Sequence, residues 1–236
     1  MRKTPREVFS YKKSKFCLNK IQRSVLIGTM LGDGGLRFRG KNCRLHIKHS
    51  LKQLSLVNYK WRIFEPIISM KVRCFSQKVG IKDYNFAEFV TLTHPIFTHY
   101  YQLFYKNNKK TITNEVADTI DPLVLAVWIM DDGSAEYAGL SIQTHSFSEA
   151  EVSLLIKAIK KNIGIQTSKR INKGKYIIYF PFRTSQELKS KLGKYILPEF
   201  EYKFVPYREK PRRDCTPDSD ENRSMIQSDL CGNVQS

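Results

Sequence analysis

The sequence predicts a duplicated α/β (α+β) fold in which one unit, read as helix, hairpin, helix, hairpin, helix, is used twice. Three observations predict it. Two apolar stretches, Val25–Gly34 and Leu125–Gly133, both end in Asp-Gly, and their acids Asp33 and Asp132 stand 99 residues apart (132 − 33). The segments that follow alternate basic and aliphatic residues with period two, as a strand does when it turns one face to a core. The order of elements after the first apolar stretch then recurs after the second.

The elements follow from local signals. Asn19 is an N-cap with Gln22 three residues on, so a helix begins there and runs through the first apolar stretch to Gly34-Gly35. Leu36–Ser50 reads as a hairpin turning at Gly40-Lys41-Asn42; in its second arm Arg44, His46 and Lys48 alternate with Leu45 and Ile47. Lys52–Phe64 is helical, Lys71-Val-Arg73-Cys and Phe86–Thr93 pair as strands, and Pro95–Tyr105 is an aromatic-rich helix. In the second half Pro122–Asp132 is a buried helix and Gly139–His145 a strand with Ser141 and Gln143 outward. Ser148 caps a helix over 149–162, with Glu151 completing the capping box. Thr167–Asn172 and Tyr176–Phe182 form a hairpin around Lys173-Gly174, and Thr184–Tyr195 is the last helix.

Composition narrows the function. At 236 residues and 41% hydrophobic the chain buries a core of one or two domains, and no apolar run reaches a membrane span. Five cysteines form no CxxC pair and the N-terminus does not read as a signal peptide, which points to a reducing compartment. The net charge of +18 implies a polyanionic partner. Met1–Phe16 holds six Lys/Arg and reads as a basic arm for phosphate contact (residues 1–17), whereas Pro211–Ser236 is polar and acidic and is expected to be disordered. The repeats then occupy 18–114 and 115–210. The cationic strand faces make Arg37, Arg39, Arg44, His46, Lys48, Lys71, Arg73, Gln143, Lys169, Arg170 and Lys173 the candidate nucleic-acid contacts.

Asp33 and Asp132 carry the chemistry. Each closes a helix at the end where unpaired carbonyls already disfavour negative charge, so the pair needs a cation or a cost borne elsewhere in the fold. With the two helices side by side, Gly28 and Ala126 would allow close approach and the carboxylates would converge. They then repel unless one takes a proton or a cation lies between them. Mg²⁺ suits such a position, since it accepts one or two carboxylates plus water and phosphate oxygens. The chemistry implied is metal-assisted phosphodiester hydrolysis; the alternative is that each Asp caps a turn before Gly. No phosphate-binding loop or Rossmann glycine pattern occurs, and the histidines have no spacing suited to zinc.

The paired motifs Leu26-Ile-Gly-Thr-Met-Leu-Gly-Asp33-Gly34 and Leu125-Ala-Val-Trp-Ile-Met-Asp-Asp132-Gly133 resemble those of single-chain LAGLIDADG homing endonucleases. Together with Tyr105-Lys-Asn-Asn-Lys-Lys-Thr-Ile and Arg170-Ile-Asn-Lys-Gly-Lys-Tyr-Ile-Ile-Tyr they resemble the subgroup encoded in organellar ribosomal RNA introns. The resemblance implies two αββαββα repeats whose antiparallel sheets form a saddle on double-stranded DNA. It also implies a site-specific endonuclease acting as a monomer on a long asymmetric target in a mitochondrion or chloroplast. Asp131 aligns with Gly32, and what the halves share there is a backbone carbonyl, which in the family contacts the metal; the Asp131 side chain is not assigned that role. Lys110 and Lys203 match lysines that polarise solvent or stabilise phosphate charge, with Lys109 competing for the register of Lys110 and simple phosphate contact as the other reading. Lys48 and Gln143 align across the halves as polar groups beside the site. The competing functions are an intron RNA maturase, which assists splicing without cutting, and a non-catalytic DNA-binding regulator; retention of both acids favours the nuclease.

Overall fold

The computed structural model describes residues 16–207, so the acidic tail and nearly all of the basic arm lie outside the described residues. The first repeat opens with α1 (Lys20–Leu31), where Asn19 and Gln22 form the expected capping box through bonds of 2.9 and 3.0 Å. It continues through β1 (Gly35–Arg39), β2 (Asn42–Ser50), α2 (Leu54–Phe64), β3 (Arg73–Val79), β4 (Lys82–Val90) and α3 (Pro95–Phe104). A small hairpin, β5 (Tyr105–Lys106) and β6 (Lys109–Lys110), and the short α4 (Asn114–Asp118) lead into the second repeat. That repeat comprises α5 (Pro122–Asp132), β7 (Gly133–Glu136), β8 (Gly139–Gln143), α6 (Glu149–Ile163), β9 (Ser168–Asn172), β10 (Lys175–Pro181) and α7 (Phe182–Leu192). Each repeat is αββαββα. Each builds a four-stranded antiparallel sheet in the same order, β1-β2-β4-β3 and β7-β8-β10-β9.

The two apolar helices occupy the centre. In α5 every side chain from Val124 to Met130 is fully buried, and in α1 Ser24 to Leu31 are buried. Glycine makes the contact possible: a Cβ at Gly28 would lie 2.6 Å from the Val124 carbonyl oxygen and 2.8 Å from the Val127 Cβ. Ser24 joins the helices at their other end by donating at 2.6 Å to Asp121, whose second oxygen caps α5.

The glycines after the acids explain where the helices stop. A Cβ at Gly34 would sit 2.9 Å from the Thr29 carbonyl oxygen, and one at Gly133 would sit 2.4 Å from that of Ile129. The chain therefore folds back over the last helical turn, and α1 ends at Leu31 rather than at Gly34-Gly35.

Other differences have local causes. The β3–β4 hairpin extends through a turn at Gly80 (φ 63°), which adds Phe75–Val79 and Lys82–Asn85 to the sheet, while Lys71 falls before the strand begins. The strand Gly133–Glu136 was not expected, because Gly-Ser-Ala-Glu carries no alternation and owes its conformation to pairing with β8. Ser141 shares the face of Gln143 as expected but is fully buried there, its hydroxyl donating to Glu136 and receiving a bond from Gln143. The β5–β6 turn uses Asn107 and Asn108 at φ 51° and 60°, a conformation asparagine tolerates better than most residues.

Candidate active site

The site lies where α1 and α5 end together. Asp33 is exposed at its mouth and Asp132 is half-buried behind it. His49 stands 3.5 Å from Asp33 Oδ2 and holds that carboxyl below the usual carboxylate range. Asp132 is shifted the other way. Burial, then the charges of Asp33 and Asp131, push it up to about 7. This is the pattern of two acids close enough to repel, with Asp33 held down chiefly by His49 while burial and acidic neighbours outweigh Lys110 at Asp132. Trp128, one turn before Asp132, keeps a buried indole N–H close enough to that carboxyl to favour its charge slightly, but outside hydrogen-bond geometry with any described residue.

Each half sends a lysine to the same place. Lys110, delivered by the β5–β6 hairpin, donates at 2.9 Å to the carbonyl oxygens of both Gly32 and Gly34. Lys203, on the 3₁₀ segment Pro198–Phe204 after α7, donates to the carbonyls of Ile129, Met130 and Asp131 at 3.0, 2.6 and 3.2 Å. Lys203 is 3% exposed, and burial pushes its pKa down to about 8, so it keeps its proton and all three N–H donors at neutral pH. Burial lowers Lys110 in the same direction, and the nearby acids Asp132, Asp131 and Asp33 oppose that shift. Lys109 is exposed and its neighbour Lys110 is the one that reaches the helix end.

The Asp131 side chain points away from this chemistry. It is buried, and Lys60 of α2 donates to both of its oxygens at 2.6 and 2.8 Å. Gly32 has no side chain because Asp131 fills the space: a Cβ there would lie 2.6 Å from the Asp131 Cβ. Only backbone carbonyls are therefore shared at this level, and a lysine already occupies one lone pair on each.

The residues fit a hard cation. Two carboxylates and two carbonyls are an all-oxygen set of the kind Mg²⁺ accepts alongside water and phosphate. Asp132, the crowded carboxyl, gains most from a neighbouring positive charge. The unpaired Trp128 N–H beside it is a donor that a water or phosphate oxygen can satisfy. Among the described residues no three His, Cys, Asp or Glu side chains form a metal cluster by themselves.

Strand register places most of the candidate contacts on one surface. Arg37 faces Arg44 across β1 and β2, Lys48 faces Glu88 across β2 and β4, and Arg73 faces Glu88 across β3 and β4. Arg37, Arg39, Arg44, His46, Lys48 and Arg73 thus share the face opposite Leu45 and Ile47. That face is not purely cationic. Glu88 at its centre binds Arg73 and accepts from His46 at 3.2 Å, an acid the alternation pattern did not reveal. Lys48 leans away from the acids, bonding Gln77 at 2.7 Å and covering the Phe86 ring at 4.0 Å.

In the second sheet Gln143 and Arg170 both oppose Ile177, and Arg170 lies over the Tyr179 ring at 3.2 Å. Lys173 is exposed at the β9–β10 turn with φ 49°. Lys169 is on the other side. It opposes the buried Ile178 and pairs with Glu149 of α6, since adjacent strand residues must point in opposite directions. Lys71 is exposed outside the strand. Neither Lys48 nor Gln143 bonds an active-site acid; the residue that does so is His49, one place beyond Lys48.

Sequence reasoning missed His49 and Lys60. His49 is the inward member of the alternating β2 pattern, and a polar residue at an inward position is a signal for a buried partner. Lys60 gave no such sign among the other polar residues of α2.

The comparisons with known proteins agree with this geometry. Residues 23–188 match the family model described as "LAGLIDADG DNA endonuclease family". The chain is 28% identical over 205 residues to "Probable intron-encoded endonuclease 1" of Wickerhamomyces canadensis, covering 83% of this chain and 88% of that protein. It is 33% identical over 198 residues to "Cytochrome b mRNA maturase bI2" of Debaryomyces hansenii, covering 80% and 76%. The solved structure "The homing endonuclease I-WcaI bound to its DNA recognition sequence" superposes with a TM-score of 0.79 at 27% identity, covering 87% of this chain and 95% of that one. With paired motif helices, repeated sheets and a family model spanning most of its length, the chain belongs to the LAGLIDADG DNA endonuclease family.

Proposed function

We propose that the protein is a site-specific, intron-encoded DNA endonuclease that hydrolyses one phosphodiester in each strand with Mg²⁺, working as a monomer in a mitochondrion or chloroplast. One observation carries this reading. Asp33 and Asp132 meet at the ends of paired helices, and a lysine caps the carbonyls beside each. The two carboxylates, with the carbonyls of Gly32 and Asp131, would hold the metal. Mg²⁺, when bound, lowers the pKa of attacking water and stabilises the departing oxygen. Lys110 and Lys203 place fixed positive charge where phosphate negative charge grows, and their carbonyl bonds keep that charge from swinging away. Arg37, Arg39, Arg44, Lys48, Arg73 and Arg170 line surfaces that suit the major groove, which admits a β-ribbon and exposes base edges. Two unequal sheets suit an asymmetric target. Among the described residues no helix is long and apolar enough to cross a membrane.

The test is to incubate the purified protein with its intronless host gene and Mg²⁺ and to look for a double-strand break. Binding to that target should weaken on the order of 10³-fold between 50 and 200 mM salt, because at least six cationic side chains displace counterions. Affinity that stays level across that range would remove the electrostatic role of the sheets.

A second reading, intron RNA maturase, is favoured by the relative of that name. It predicts tight binding to the protein's own intron RNA with no cleavage of the intronless gene.

A further inference from the structure

The charge network behind Asp33 has no counterpart behind Asp132. Lys60 is fully buried, a position lysine takes only when paired. Two of its three N–H donors bond Asp131, at 2.6 and 2.8 Å, and the third faces His49 Nε2 at 3.4 Å. The same Nε2 lies 3.7 Å from Asp131 Oδ1, and with the nearer Lys60 as its donor the ring proton sits on Nδ1. His49 Nδ1 then donates toward Gln53 Oε1 at 3.1 Å and faces Asp33 Oδ2 at 3.5 Å. The chain of contacts runs from Asp131 on the second motif helix, through Lys60 and His49 of the first repeat, to Asp33.

The second repeat offers nothing similar. Gly32, the first-repeat residue equivalent to Asp131, has no side chain to pair with a lysine, and the groups that favour the charge on Asp132 are Lys110 of the first repeat and the Trp128 indole. The arrangement is one-sided.

We infer that Lys60 and His49 are positioning residues that serve the Asp33 half of the site more than the Asp132 half, so that the two DNA strands depend on them unequally. Lys60 neutralises the Asp131 side chain, which keeps a third carboxylate from competing for the cation, and it sets the His49 tautomer that steadies Asp33. The inference rests on the cleavage reading above and deepens it.

The experiment follows each strand separately, with the two ends of a target duplex carrying different labels. Lys60→Met alone would strand a buried carboxylate and endanger folding, so the variant is Lys60→Met with Asp131→Asn, which removes both charges together. A second variant, His49→Phe, leaves the Lys60–Asp131 pair in place. Each should bind target DNA as the wild type does, and His49→Phe should cut one strand near the wild-type rate. The other strand should be cut at least about tenfold more slowly, so that nicked duplex accumulates, with the same strand spared in both variants.

Equal slowing of both strands, or none, in a variant with wild-type binding would overturn the inference and leave Lys60 as a fold contact. If the double variant fails to fold, the His49→Phe strand bias decides alone. A wild-type protein that cuts neither strand overturns the cleavage reading and this proposal with it, whereas a wild type that cuts both beside unbiased variants overturns only this one.

Discussion

Asp33→Asn and Asp132→Asn are each expected to abolish double-strand cleavage, slowing it on the order of 10³-fold or more, which corresponds to the several kcal/mol of charge stabilisation a metal site supplies. The amide keeps the shape of the carboxylate and removes the charge that would hold a cation. Specific DNA binding should survive in both variants, since the cationic side chains on the sheet faces are untouched. Binding by Asp33→Asn should tighten slightly, because Asp33 is the exposed acid and faces incoming phosphate. A plasmid cleavage assay alongside a gel shift separates the two properties. A variant that linearises plasmid at the wild-type rate would show that its aspartate only accompanies the glycine turn.

Glycine makes that alternative concrete. Gly34 and Gly133 are fixed by the carbonyls of Thr29 and Ile129, so the turn needs glycine whatever precedes it. Nothing in that geometry requires an acid at 33 or 132. The acids must answer to something else, and the charge of Asp33 is among the causes that push Asp132 up.

What could be read from the sequence was local. The capping boxes at Asn19/Gln22 and Ser148/Glu151 form as their spacing demands, because every atom involved lies within one helical turn. The period of two in β2 gave its two faces correctly, and the same rule applied to Lys169 and Arg170 would have set them on opposite sides. What could not be read depends on tertiary pairing. Lys60 meets Asp131 across 71 residues and from one repeat to the other, and a lysine in an amphipathic helix reads as a solvent-facing residue until its partner is seen. Strand β7 is held by its neighbour rather than by its composition. Glu88 lies in a strand recognised as such, but its position between Arg73 and His46 follows from register, which no single strand encodes.

The same two substitutions should also move stability in opposite directions, measured by thermal unfolding without divalent metal. Asp132 has a folded pKa of about 7 against 3.8 in an unfolded chain. Below about pH 4 it is protonated in both states and costs nothing. As pH rises toward 7 the unfolded chain ionises while the folded one does not, and above 7 the folded protein bears the full cost of the crowded charge. Three pKa units set a ceiling of about 4 kcal/mol at 1.36 kcal/mol per unit. Solvent at the half-buried carboxylate reduces this to about 2 kcal/mol. Asp132→Asn removes that cost, so its melting temperature at pH 8 should exceed the wild type's by roughly 4–8 °C, and the gain should vanish by about pH 3, well below the unfolded pKa. Asp33 behaves in reverse. Its folded pKa is lowered, first through the hydrogen bond with His49, so its stabilisation is present above the unfolded value and lost as pH falls through the folded one. Asp33→Asn should therefore melt lower than wild type at pH 8 and converge with it in acid. Parallel shifts of the two variants at pH 8 would contradict the unequal support of the two carboxylates, and with it the electrostatic picture of the site.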